Sequence, residues 1–177
     1  MAVHITIQWD PVACGRGREP SLGWLKRQLG AAAEQMTLCR GRWSIWLLDD
    51  RRMAELHERT LHRPGPTDVL TFDCRPDPSR ADLLDLETCA GFQEAQRQAR
   101  ARGHPPRHEL LLYLIHSLLH VCGYDDHVPA AARRMHRRED AILTNLGLGP
   151  VYYHRRARLP PASALDHRTS RRRRRRQ

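Results

Sequence analysis

Apolar and polar positions alternate near the start of the chain. Val3, Ile5, Ile7 and Trp9 fall on one side of an extended segment, the mark of a half-buried strand. Pro11 to Arg18 reads as loop. From Pro20 the period lengthens: Leu22, Leu25, Leu29, Ala32, Ala33 and Met36 recur at helical spacing, with Ser21 placed to cap. Trp43 to Leu48 reads as a buried strand. Asp49 and Asp50 then open a short helix, Arg51 to about Thr60, because acids suit the positive end of a helix. The break at Arg63-Pro-Gly-Pro66 is followed by a third strand, Asp68 to Asp73. A proline-bearing loop, Arg75 to Arg80, leads to a fourth strand at Asp82 to Glu87.

Thr88 to about Arg102 has the pattern of an amphipathic helix, with Ala95 and Ala99 inward and three arginines outward. Gly103 and Pro105-Pro106 end it. Arg107 to Val121 is apolar almost all round, which predicts a central helix with the other elements packed over it, closed by Gly123. A last helix starts near Pro129 and ends at Gly147. The order predicts one α+β domain over residues 1–150 and a separate tail over 151–177.

Charge sharpens that division. The chain of 177 residues carries a formal +10, almost entirely from arginine, Lys26 being the one lysine. From Arg155 to Gln177 ten arginines face one acid, Asp166, so the rest of the chain is nearly neutral. A block of like charge self-repels, which predicts a disordered arm suited to phosphate backbones. No apolar run approaches the roughly 20 residues of a membrane span, and the N-terminal segment lacks the features of an export signal. Five widely spaced cysteines with no C-x-x-C pair argue for free thiols in a reducing cytoplasm.

The chemistry concentrates at one helix end. His116 and His120, four residues apart, project from one face about one turn along and can take two positions on a tetrahedral metal. After Gly123 comes Tyr124-Asp125-Asp126-His127, and a turn there can fold a third donor back. Three ligands with one open position is the pattern of a catalytic zinc. The alternative is a pair of hydrogen-bonded core histidines. Against it stand the cost of burying imidazoles in so apolar a run and the donor cluster close behind. In H-E-x-x-H peptidases the second position is a glutamate general base; here it is Ser117, which disfavours peptide hydrolysis. A divalent ion serves phosphodiester cleavage equally well.

Leu114-Ile-His-Ser-Leu-Leu-His-Val-Cys-Gly-Tyr-Asp-Asp-His127 resembles the H-G-x-L-H-L-x-G-Y-D-H signature of the YbeY-like endoribonucleases of bacterial rRNA maturation. Pro66-Thr-Asp-Val-Leu-Thr-Phe72 is similar to that family's P-T-D-V-L-S-F strand. Asp82 to Glu87, with the following helix and Gly103-His104, is similar to its G-D-I-x-I-S strand, helix and G-H turn. The resemblance covers roughly residues 3–147. It implies an α+β fold with a four-stranded mixed sheet, a cleft over one zinc ion, and single-strand-specific cleavage of RNA in 16S rRNA 3′-end maturation and ribosome quality control. By position it makes His116 and His120 ligands. The family spacing H-x3-H-x5-H lands on Asp126, with His127 one residue late; zinc accepts either donor, and register favours Asp126. The family's arginine five residues before the proline of P-T-D is replaced by Leu61, with Arg59 and Arg63 flanking it as substitutes.

Other residues carry plainer expectations. Glu109 reads as an acid at the positive helix end, the alternative being a carboxylate holding a ligand imidazole. His104 and His108 are expected to be exposed. Thr67 and Asp68 open the third strand beside the cleft, either lining it or making a local turn hydrogen bond. The Arg-rich tail is expected to contact rRNA or pre-ribosomal particles without sequence preference, since no aromatics are interleaved for stacking. Two further activities fit less well: a non-catalytic, metal-stabilised ribosome-assembly factor, which the missing arginine at Leu61 favours, and a zinc-dependent hydrolase of peptide or amide bonds.

Overall fold

The computed structural model describes residues 3–10, 21–38, 40–80 and 82–152. The loop expected over Pro11 to Arg18 and the tail from Arg155 lie outside the described residues. Four strands, β1 (Val3–Trp9), β2 (Arg40–Leu48), β3 (Val69–Asp73) and β4 (Leu83–Gly91), alternate with five helices. The helices are α1 (Leu22–Gln35), α2 (Asp50–Leu61), α3 (Phe92–Arg102), α4 (Pro106–Val121) and α5 (Pro129–Asn145). The sheet order is β1-β2-β4-β3. β1 and β4 both run parallel to β2, and β3 returns antiparallel along β4. This is the α+β fold with a four-stranded mixed sheet that the pattern and the resemblance predicted.

Capping sets the helix starts. The Ser21 hydroxyl accepts from Trp24 N at α1, and the Asp49 carboxylate accepts from Arg52 N at α2. Two boundaries differ from expectation. β2 begins at Arg40 rather than Trp43, because Arg40 to Arg42 pair in register with Leu83 to Asp85 of β4; Arg40 and Arg42 also reach Asp82 and Asp85 at 2.8 and 2.7 Å. Thr88 to Gly91, expected as the start of a helix, instead extends β4, with Thr88 and Ala90 turned into the core and Gly91 paired to Leu48. Gly91 also lets the chain pass close: a Cβ there would meet the Thr67 carbonyl oxygen at 2.7 Å. That packs the start of β3 tightly against the end of β4.

The core lies between one sheet face and α4. Eleven of the sixteen α4 residues are buried, and the helix packs on α1, α3, α5, β3 and β4, the central position predicted for it. Trp43, Ile45, Leu47, Leu84, Leu86, Leu110, Leu114 and Leu118 fill this layer. The opposite sheet face is covered by α2 through a smaller cluster of Leu48, Met53 and Leu70. Of the described cysteines, Cys74, Cys89 and Cys122 are free thiols.

A line of polar groups crosses the core. Trp43 Nε1 donates to Thr88 Oγ1 at 2.9 Å, Thr88 Oγ1 and Ser117 Oγ share a hydrogen bond at 2.8 Å, and Thr71 donates to Ser117 at 3.0 Å. Thr88 and Ser117 are fully buried, so the bond between them has no water to replace it. Two strands thus hold one serine of α4 directly, and a third supports them through Trp43. The substitution Thr88→Val orphans the Trp43 indole N–H and removes one partner of Ser117. It is expected to cost about 1–3 kcal/mol of stability, read as a lower urea midpoint at unchanged slope.

Candidate metal centre

Ser117 is held against the sheet, so its neighbours His116 and His120 are turned to the α5 side of the helix. Each imidazole is oriented by an acceptor at Nδ1. The Glu139 carboxylate accepts from His116 Nδ1 at 2.7 Å, and the Tyr124 carbonyl accepts from His120 Nδ1 at 3.2 Å. Both Nδ1 atoms therefore carry hydrogen, so in the neutral rings both Nε2 atoms present lone pairs. These face each other at 3.0 Å, an arrangement that is repulsive unless a cation or a proton lies between them.

The third donor comes from the turn. Gly123, at φ +82°, takes the left-handed conformation that ends α4, and Tyr124 N closes the turn on the Leu119 carbonyl at 3.0 Å. Asp125 then accepts from His127 N at 3.1 Å and pairs with the His127 ring. This local turn carries His127 outward, where its side chain is 82% exposed, and leaves Asp126 facing the histidines. The Asp126 oxygens lie 3.7 Å from His116 Nε2 and 3.8 Å from His120 Nε2. One donor atom from each of His116, His120 and Asp126 falls within 4.8 Å of the others. Tetrahedral donors about 2.0–2.1 Å from zinc stand about 3.3 Å apart, so the residues present fit a small divalent cation. Asp125, Asp126 and His127 form a second grouping of that kind, but all three are exposed.

Electrostatics separates the two imidazoles. Burial disfavours the charged form of His116, but the Glu139 hydrogen bond and charge, with Asp126 and Asp68, outweigh it and raise its pKa above the ordinary value. Burial and the neighbouring His116 lower that of His120. Glu139, 1% exposed, stays ionised: burial pushes its pKa up, yet His116 and His136 together bring it below the usual carboxylate range.

The carboxylate behind His116 is therefore Glu139, which sequence inspection passed over. Its other oxygen accepts from His136 Nδ1 at 2.9 Å, and the His136 ring stacks on Tyr152 with centroids 3.5 Å apart. The His136-x-x-Glu139 spacing on α5 was the available signal, but only the α4–α5 packing identifies its partner. Glu109 is the acid in the first turn of α4, as expected; it is fully buried, pairs with Arg102 and with His104, at 2.9 Å from the latter, and holds neither His116 nor His120. His104 and Arg102 are consequently largely covered rather than exposed, and His108 stacks on Trp24. The Thr67 hydroxyl and Val69 N both donate to Asp68 Oδ1, at 3.0 and 2.8 Å, so the local turn bond is present. The charge of Asp68 also reaches His116. Arg59 lies on the α2 side of the sheet, in a cavity with Trp46 and Asp10, and exposed Arg63 follows the helix. Leu61 is 54% exposed at the end of α2.

If these donors hold an ion, Asp126→Ala weakens zinc binding by at least about tenfold in chelator competition, and His127→Ala leaves it within about twofold. Glu139→Gln is expected to weaken it by about 10- to 100-fold, because the carboxylate orients a donor imidazole.

A family model described as Endoribonuclease YbeY matches residues 21–147. Among curated relatives, the proteins named Endoribonuclease YbeY from Mycobacterium ulcerans and Mycobacterium marinum are each 40% identical over 110 residues, covering 56% of this chain and 61% of theirs. The relative of that name from Mycobacterium tuberculosis H37Rv is 39% identical over the same shares. The match thus spans about 61% of the length of these relatives. Among solved structures, TM1509 from Thermotoga maritima is similar in fold, with a TM-score of 0.53 at 20% identity, covering 82% of this chain and 91% of that one. With the family model spanning most of the described fold, and the histidine-bearing helix and its turn lying inside the matched span, the chain belongs to the YbeY endoribonuclease family.

Proposed function

We propose that the chain is a single-strand-specific, zinc-dependent endoribonuclease acting in 16S rRNA 3′-end maturation and in ribosome assembly or quality control in the cytoplasm. The observation that carries it is the convergence of His116, His120 and Asp126 in a chain of this family. These three side chains would hold one ion, with the nitrogen and oxygen donors that zinc accepts. When bound, such an ion polarises a phosphoryl oxygen and lowers the pKa of its water toward about 7.

The chain's own residues prepare that site. Glu139 and the Tyr124 carbonyl fix both imidazoles as Nδ1–H forms, so each presents Nε2 without rearrangement. Asp126, 38% exposed, leaves the outer side open to a substrate strand. Ser117 is committed to Thr71 and Thr88 and is no general base, which counts against peptide or amide hydrolysis. No helix of the described residues is long and apolar enough to cross a membrane.

A second reading rests on Leu61. An exposed leucine stands where the family has an arginine, and Arg59 lies on the other side of the sheet. A non-catalytic, metal-stabilised assembly factor would need no cation there.

Purified protein loaded with one zinc per chain is expected to cut a single-stranded RNA and spare its duplex, and His116→Ala/His120→Ala is expected to lose at least about 100-fold in rate. Equal cutting by metal-free protein would end the metal-dependent reading, whereas stoichiometric zinc and pre-ribosome binding without turnover would favour the assembly factor. The Arg-rich tail is proposed to pair with phosphates. Replacing Arg171 to Arg176 by serine is expected to flatten the dependence of RNA affinity on salt, by about 0.7 in log–log slope for each single-strand phosphate no longer neutralised.

A further inference from the structure

We propose that the cavity between α2 and the outer face of the sheet, walled by Trp46 and Arg59, docks one unpaired nucleotide of single-stranded RNA. It rests on the RNA reading above only for the class of polymer. Its position follows from strand alternation. In β2 the side chains of Trp43, Ile45 and Leu47 enter the α4 core, while Trp46 and Leu48 point to the other face; in β4 Thr88 meets Ser117, and Cys89 points away. The cavity is therefore separated from the histidine centre by the sheet itself.

Its volume is about 320 Å³, at the lower end of the roughly 300–1,000 Å³ typical of small-ligand pockets. Leu48, Leu56 and Cys89 line it with apolar groups, and burial raises the Cys89 thiol to about 11, which keeps it neutral. Trp46 is 38% exposed, although a ring of that size on a strand normally gains by being covered. The acids that line the cavity are already engaged. Asp10 pairs with Arg52 at 3.0 Å, and Glu55 lies between Arg51 and Arg52 at 3.2 and 3.5 Å. Among the described residues, no hydrogen bond or ion pair holds Arg59.

An exposed indole face beside an uncommitted guanidinium, over an apolar floor, suits a flat heterocycle that carries an anion. That combination is a nucleobase with its phosphate. The base stacks on the indole whatever its identity, and the guanidinium meets the phosphate as a planar fork. A duplex withholds its base faces, so the subsite selects unpaired strands. An isolated apolar side chain of a protein partner would make no use of Arg59.

The test measures binding of a labelled oligoadenylate dodecamer to full-length protein in EDTA, so that cleavage plays no part. Trp46→Ala is expected to raise the dissociation constant about tenfold. Trp46→Phe, which keeps an aromatic face, should recover most of that loss, and Arg59→Ser should reduce the log–log salt slope by about 0.7, the value for one phosphate of a single strand. Binding of a duplex of equal length should not change. Unchanged single-strand affinity in Trp46→Ala with native circular dichroism overturns the proposal. So does equal weakening of duplex and single strand, or saturation of the cavity by free adenosine monophosphate as tightly as by the dodecamer. If Trp46 governs binding in a protein that never cleaves RNA, the endoribonuclease reading fails and the subsite stands. If cleavage proceeds normally while binding ignores Trp46, the subsite fails alone.

Discussion

One buried hydroxyl sets the orientation of the candidate centre. Ser117 receives Thr71 from β3 and shares a hydrogen bond with Thr88 from β4, which in turn accepts from Trp43 of β2. The hydrophobic effect that buries this nearly all-apolar helix is not directional, so it selects the rotation of α4 less sharply than directed bonds do. Directed hydrogen bonds to a buried hydroxyl single out one rotation. Fixing the rotation of α4 at Ser117 fixes where the residues one before and three after it emerge.

The remaining geometry follows from what α4 meets on its free side. α5 brings one carboxylate, Glu139, between two imidazoles, and the turn after Gly123 brings Asp126. The selection of Asp126 over its neighbour needs nothing distant: Asp125 closes a local turn on His127 and so points it away. Apolar packing supports the helix from behind, and polar bonds aim its face.

Much of this was legible in the chain. Alternation in β1, helical spacing in α1, acids at the start of α2 and the apolar wrap of α4 each predicted their elements, because each depends on local periodicity. The histidine pair and the donor-rich turn were legible for the same reason: their partners lie within eleven residues. What escaped depends on pairings that no local period marks, most of them distant in sequence. Thr88 to Gly91 resembled a helix start until pairing with β2 was known. Glu109 is fully buried against Arg102 and His104, a closure across the turn between α3 and α4 that no spacing rule announces. Glu139 is twenty-three residues from His116 and meets it only through packing. Arg59 and Leu61 sit two apart on one helix, yet sequence could not tell which side of the sheet that helix covers.

The doubly shared carboxylate of Glu139 has a thermodynamic corollary. Because it belongs to α5 while the imidazole it steers belongs to α4, the full grip on a cation depends on the docked helix pair, although the three donors lie on α4 and its turn. Occupancy and docking must then favour each other. An ion held there would act as a rivet across the seam, slowing the partial openings in which the last helix lifts from the domain, and any lesion that loosens the seam would surface first as a weakened grip on the ion.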